Sequence, residues 1–214
     1  MSTQLNMKED SIAALNRVKI MNAAEQEFAL HGFKGTRVQN IADRAGLPKT
    51  NILYYFKSKD ALYLALLEEI LSHWNSSFDD ASAEDDPAEI LAYYIAEKME
   101  SSRIRPTASK IFALEIINGA EKLNGFFRDQ HASWMQGRVV VIQQWIDKGK
   151  LTPTDPYYLL FNIWACSQHY ADFSAQITEL KGKAMVQSDF ADATRSLITL
   201  VLTGCGLTVP PQYK

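Results

Sequence analysis

The chain has 214 residues, 47% of them apolar and 22% charged, with a formal net charge of −3. That apolar fraction excludes a chiefly disordered chain, and only ten Gly and seven Pro argue against collagen-like or all-β architectures. No apolar run reaches the roughly 18 residues of a membrane span, no secretory leader is visible, and two cysteines are too few for a disulfide scaffold, so a cytoplasmic protein is expected.

Helical patterning begins over about Ser11–His31, where Ile20, Ala23, Ala24, Phe28 and Leu30 form an inner stripe. Gly32 supplies a left-handed end against which Phe33 folds back. Thr36 opens a second helix, with Gln39 three residues on as its capping-box partner, and Gly46 closes it. A third helix starts at Pro48, where a missing N–H costs nothing, and ends near Tyr55. Ser58 caps a fourth, with Asp60 in its first turn and Leu62, Leu66, Ile70 and Trp74 carrying it to about Phe78. The acidic stretch 79–87 reads as a solvated connector. Further helices are predicted at about 87–103, 106–119, 122–149, 156–178 and 187–206. The result is an all-α chain, with a three-helix head in residues 1–60 and a helical body in residues 61–214.

Charge divides along the same line. Residues 1–60 hold nine Lys or Arg against six Asp or Glu, and the remainder holds 13 against 19. A basic head suits a polyanionic partner, although an excess of this size is also ordinary surface decoration. Spacing says more. Ile41 and Ala42 face inward, Gly46 takes a positive φ at a sharp turn, and Ile52 plugs the angle between two short helices, as a helix-turn-helix requires. Lys49, Thr50, Asn51 and Tyr54 are left outward, a set of donors and acceptors that suits the major groove. A packing hairpin inside a helical enzyme would share this spacing.

The run Ala23-Ala24, Phe28, Gly32-Phe33, Thr36, Val38, Ile41-Ala42, Ala45-Gly46 and Tyr54-Tyr55-Phe56-Lys57-Ser58-Lys59-Asp60-Ala61-Leu62 resembles the DNA-binding head of TetR-family repressors. The resemblance implies that Thr36 and Arg37 hold phosphates, that Lys49, Thr50, Asn51 and Tyr54 meet bases and backbone, and that Tyr55 and Lys59 bind the backbone. Pro48 stands where the family has a capping Ser or Thr. It also implies a homodimer on a near-palindromic, double-stranded operator, because one head is too small to hold a half-site tightly.

In the body, stretch 156–173 is apolar on all sides and must therefore be covered on both faces. One face, with Leu159, Ile163, Cys166, Tyr170 and Phe173, is expected to meet a partner chain, joined by Phe190, Leu197, Ile198 and Val201 of the last helix. A monomeric core helix has the same pattern. Trp164, Gln168 and Asp172 recur every four residues on the side of Phe161, where an indole plane and an amide could hold a flat heterocycle. A core Gln bonded to another helix's backbone remains the other reading.

The segment Ile163-Trp164-Ala165-Cys166-Ser167-Gln168-His169-Tyr170-Ala171-Asp172-Phe173 is similar to the pyrimidine-sensing branch of that family. The similarity implies uracil or thymine as effector, stacked near Trp164 and read by Gln168, with Phe112, Glu115 and Lys98 as further lining. A regulator of another small planar or hydrophobic ligand could keep this frame. Cys166, His169 and Asp172 spread too widely around one helix to close a metal site, and no catalytic or nucleotide-loop motif is present, so neither a metal, a cofactor nor an enzyme is expected. An all-α enzyme remains the distant alternative, and membrane association is not expected.

Overall fold

A computed structural model describes residues 2–123, 125 and 127–214, without the side chains of residues 2–11, 128 and 129. All regular structure among the described residues is helical. The helices are α1 (Ser2–Gly35), α2 (Val38–Ala45), α3 (Lys49–Phe56), α4 (Lys59–Asp79), α5 (Pro87–Ile104), α6 (Pro106–Ile117), α7 (Ala132–Asp147), α8 (Pro156–Asp172), α9 (Ser174–Lys181) and α10 (Gln187–Gly204). A single turn of π-helix, Phe127–His131, precedes α7. By its contacts the chain forms two units, Met1–Ile70 with Ile111–Leu123, and Leu71–Lys110 with Asn124–Lys214. The division falls inside α4 and α6. No described helix is long and apolar enough to cross a membrane.

In the first unit, Ile20, Ala23, Ala24 and Phe28 are buried as their spacing predicts. Leu30 is 65% exposed, because two residues beyond Phe28 turns a side chain about 200° around the helix. Gly32 interrupts α1 at φ 65°, and the Phe33 ring folds back onto Phe28 (6.2 Å) and Tyr63 (4.9 Å). The expected capping box at Thr36 does not form. Arg37 occupies the N-cap of α2 without a side-chain bond, and Gln39 donates to Asp43 Oδ1 at 2.7 Å. Gly46 has φ 65° and ψ 34°, and its left-handed geometry turns the chain from α2 toward α3. Ser58 caps α4 as expected, its Oγ accepting from the Ala61 N–H at 3.0 Å.

In the second unit α5 packs against α8 and α10. Phe78, Leu91, Tyr94, Ile95, Trp145 and Leu160 form its core. Asp-Pro pairs start two of its helices. Asp86 accepts from the Ala88 N–H at 2.9 Å, and Asp155 from those of Tyr157 (2.8 Å) and Tyr158 (3.3 Å), with proline in each first turn.

Several expectations about this unit are corrected. The stretch after α4 is solvent-exposed at residues 79, 80, 82, 84 and 86, as expected, and it is also pinned from one side. Arg138 donates to the carbonyls of Phe78, Asp79 and Ala81, Trp145 to that of Ser82, and Lys150 to those of Ala83, Glu84 and Asp85. The helix expected over 122–149 begins in part outside the described residues, and a turn occupies residues 121–123. The helix expected over 156–178 breaks at Phe173, between α8 and α9. Leu159, Ile163, Leu197 and Ile198, assigned to a partner-facing surface, are buried in the chain's own core. Their helices are covered on that face by α5, which periodicity alone could not reveal.

Candidate DNA-reading helix and effector site

Helix α3 is held at two points and open elsewhere. Ile52 and Phe56 are buried, and the Arg17 guanidinium of α1 lies 4.5 Å from the Phe56 ring centroid. Arg44 Nε donates to Glu27 Oε1 at 2.7 Å and ties α2 to α1. With its inner edge fixed, α3 leaves Lys49, Thr50 and Tyr54 exposed, Tyr54 by 72%, while Asn51 and Tyr55 are half-buried and Arg37 is exposed beside them in sequence at the start of α2. The Tyr54 and Tyr55 rings meet edge-on at 5.2 Å, which limits their rotamers. Lys57 ends α3 at φ 65°, a left-handed conformation that a side-chain-bearing residue adopts at a cost. Its N–H donates to Leu53 and its ammonium to the Tyr54 carbonyl at 3.1 Å, which holds that geometry. Residues 44–59 contain Arg44, Lys49, Lys57 and Lys59 and no carboxylate.

Two residues expected to meet phosphate point elsewhere. Thr36 is 1% exposed, and its hydroxyl donates to the Glu27 carbonyl at 3.0 Å and the Gly32 carbonyl at 2.8 Å. It locks the end of α1 instead of facing solvent. Lys59 Nζ donates to the Phe33 and Thr36 carbonyls at 2.9 and 3.0 Å and lies 4.4 Å from the Phe33 ring centroid. Both partners stand more than 20 residues away in sequence, so no local signal announced them.

The second unit gathers a polar and aromatic cluster from separate elements. Trp164 of α8, half-buried, donates through Nε1 to the Tyr94 hydroxyl of α5 at 2.6 Å. Phe161, Trp134 and His131 surround its ring, with centroids at 5.7, 6.3 and 5.9 Å. His131 stacks on Trp134 at 5.6 Å, and its Nδ1 stands 3.5 Å from the Asn75 amide. Lys98 of α5 reaches the same indole, its ammonium 5.7 Å from the ring centroid. Burial and the Lys98 charge push the His131 imidazole below its ordinary pKa, and burial pushes the Tyr94 phenol up. Such a cluster can grip a flat ring by stacking and offer it several hydrogen-bonding groups.

Of the residues expected to line an effector site, Lys98, Phe161 and Trp164 come together here. Gln168 is half-buried one turn beyond Trp164. Asp172 accepts from the Ser109 hydroxyl at 2.6 Å, and burial raises its carboxyl pKa. Glu115 is engaged within the first unit, accepting from the Lys122 N–H at 2.8 Å and from the Tyr63 hydroxyl. Phe112 is half-buried and also belongs to the first unit. Sequence reasoning missed Trp74, Asn75, His131 and Trp134 as parts of the cluster, because they lie on different elements and share no spacing. Among residues expected at a partner surface, Cys166 and Phe173 are exposed, while Tyr170, Phe190 and Val201 are half-buried against the core. No group of His, Cys, Asp and Glu suited to a metal ion occurs among the described residues.

These features define an all-α protein with an N-terminal helix-turn-helix head and a C-terminal helical unit of the kind found in ligand-responsive repressors. Residues 20–66 match the model of bacterial regulatory proteins of the tetR family, and residues 67–208 match the C-terminal region of YcdC-like proteins. The chain belongs to the tetR family of regulatory proteins. It is 37% identical over 187 residues to the HTH-type transcriptional regulator RutR of Escherichia coli strain K12, which covers 87% of this chain and 88% of that protein. It is also 33% identical over 82 residues to the HTH-type transcriptional repressor NicS of Pseudomonas putida, covering 36% and 39%. Among solved structures, the putative transcriptional regulator SCO4942 of Streptomyces coelicolor superposes with a TM-score of 0.66 at 23% identity, over 86% of this chain and 97% of that one. FadR of Bacillus subtilis, in complex with stearoyl-CoA, gives 0.65 at 18% identity, over 87% and 98%.

Proposed function

We propose that the head binds duplex DNA through the outer face of α3, with Lys49, Thr50, Asn51, Tyr54 and Tyr55 in the major groove and Arg37 on the backbone. One observation carries this reading: residues 44–59 hold no carboxylate, and Lys49 stands with a row of outward donors on a helix anchored only along its inner edge. Asn pairs bidentately with adenine, and Lys and Tyr hydroxyls suit phosphates. A gel shift on genomic fragments tests it. Retention should weaken steeply with added salt, and a protein that retards no fragment has no such function. The DNA-binding domain in this reading is residues 1–60, followed by a ligand-binding and dimerisation domain in 61–214.

Operator binding would involve two copies. The exposed stripe of α8, with Tyr158, Cys166, His169 and Phe173, and the exposed Leu200 of α10 are the surfaces that support pairing. Charge placed at Phe173 and Leu200 should leave a monomer in sedimentation velocity.

The effector is read as a pyrimidine base, uracil or thymine, stacked on Trp164 and bonded to Gln168. The half-buried indole ringed by Phe161, His131 and Trp134, with an amide one turn away, favours a small flat ring over an acyl chain. A ligand there would act on the head through α4, whose 21 residues run without a break. Calorimetry with uracil on wild type and Gln168→Ala separates the readings, since equal, tight binding by both proteins removes Gln168 from the site.

A further inference from the structure

The first unit holds a cavity of about 470 Å³ between the end of α1, the start of α4 and the last turns of α6, and every residue lining it belongs to that unit. Its volume falls in the range of roughly 300–1,000 Å³ typical of small-molecule sites. Gly32 leaves bare backbone on one wall, with no atom within 4 Å of the place a Cβ would take. Phe28, Phe33 and Tyr63 supply aromatic lining, and Leu114, 47% exposed, stands at the rim. One charged side chain of this cavity is buried: Glu115 of α6, 8% exposed. Gly119 at φ 94° and Ala120 at φ 55° fold the chain back after α6. The Ala120 N–H thereby meets the Glu115 carbonyl at 2.8 Å, and the Lys122 N–H meets its Oε1 at 2.8 Å. The Tyr63 hydroxyl donates to the same carboxylate.

Both of these donors are neutral, so they satisfy lone pairs of Glu115 without offsetting its charge. The cation beside it is committed elsewhere. The Lys122 ammonium bonds to Asp60 Oδ1 at 2.7 Å and lies 4.8 Å from the Phe33 ring centroid. Among the described residues no ammonium or guanidinium forms an ion pair with Glu115. His31, Lys34 and Glu121 line the rim as exposed groups, where water and salt screen them. A buried carboxylate with aromatic neighbours, in a cavity of ligand size, is complementary to an organic cation. We infer that this cavity is a small-molecule site in its own right, taking a small amine with a hydrophobic body whose ammonium pairs with Glu115. The ammonium forms charge-assisted hydrogen bonds with the carboxylate, and the body covers Phe33 and Leu114. An anion of the same size is repelled by Glu115. The site shares no residue with the Trp164 cluster and calls for a ligand of different charge.

Calorimetry of the full-length protein tests this with phenethylamine and isoamylamine as probes, and with 3-phenylpropionate as a ligand of similar size and opposite charge. At least one amine should bind and the acid should not. Glu115→Gln keeps an acceptor for Tyr63 and for the Lys122 N–H while removing the charge, and should weaken amine binding at least about tenfold. Leu114→Lys changes only an exposed position, brings a competing ammonium to the rim, and should weaken the same binding. If Glu115→Gln fails to fold, Leu114→Lys decides. Gln168→Ala should leave amine affinity unchanged, and saturating uracil should not displace the amine. Amine binding without uracil binding leaves the inference standing and removes the pyrimidine reading, and uracil binding without amine binding does the reverse. The inference is overturned if neither amine binds, if the acid binds as tightly, if uracil displaces the amine, or if the folded variants bind it as the wild type does.

Discussion

Helices α3 and α8 both carry aromatic and amide side chains of the kind used in recognition, and they dispose them in opposite ways. Helix α3 has eight residues and buries Ile52 and Phe56, so its polar groups stand outward for a large, flat-sided partner. Helix α8 has 17 residues and buries six, and its Trp164 is drawn inward to Tyr94, Lys98 and His131. A helix anchored at two points can present a face to a polymer. A helix packed along one face can draw a recognition group inward, where only a ligand small enough to enter reaches it.

The largest expected effect tests whether α3 depends on its anchors. Ile52→Ala, at a position 1% exposed, should lower stability by about 2–5 kcal/mol in urea denaturation and abolish the gel shift with it. A cost under about 1 kcal/mol would mean that α3 is not held by this plug.

The interior of the second unit should declare itself through pH. The Lys98 amine lies at about 7 in the folded chain against 10.5 in the unfolded one. Between those values the unfolded chain binds more protons, so stability rises with pH across the window, by up to roughly 1.4 kcal/mol per unit. Lys98→Met should remove that slope and be the more stable protein at pH 7, with the advantage shrinking toward pH 10.5. Thermal melts at pH 7 and pH 9 suffice, and identical slopes in both proteins would place the amine in water.

Outward groups on α3 should behave oppositely, costing function without stability. Asn51→Ala is expected to weaken operator binding by about 1–3 kcal/mol and relax its sequence preference, with an unchanged melting temperature. A drop in melting temperature of several degrees would turn Asn51 into a packing residue.

The smallest change concerns α8. Trp164→Phe removes the donor to Tyr94 and should cost about 1 kcal/mol, with the DNA affinity of the ligand-free protein retained. No change in stability would mean that water replaces the indole N–H without loss.

Much of the head was legible because its determinants are local. Gly46 at its left-handed turn, Ile52 six residues on, and Ser58 capping the helix that follows all act on neighbours within one or two turns. The Asp-Pro starts of α5 and α8 are equally local. Thr36 and Lys59 show the limit. Residue type and family resemblance send both to phosphate, whereas their donors are taken up by carbonyls at the end of α1.

By itself, then, the sequence determined an all-α chain, its helix ends, a helix-turn-helix and the outward row on α3, since helical period and capping depend on residues within a turn or two of each other. Only the tertiary structure decided which apolar face of α8 and α10 is core, what pins the stretch after α4, and that Lys98 lies among Trp74, Tyr94 and Trp164. Periodicity states that a face must be covered. It carries no information about which distant segment covers it, and a buried charge acquires its chemistry from that segment.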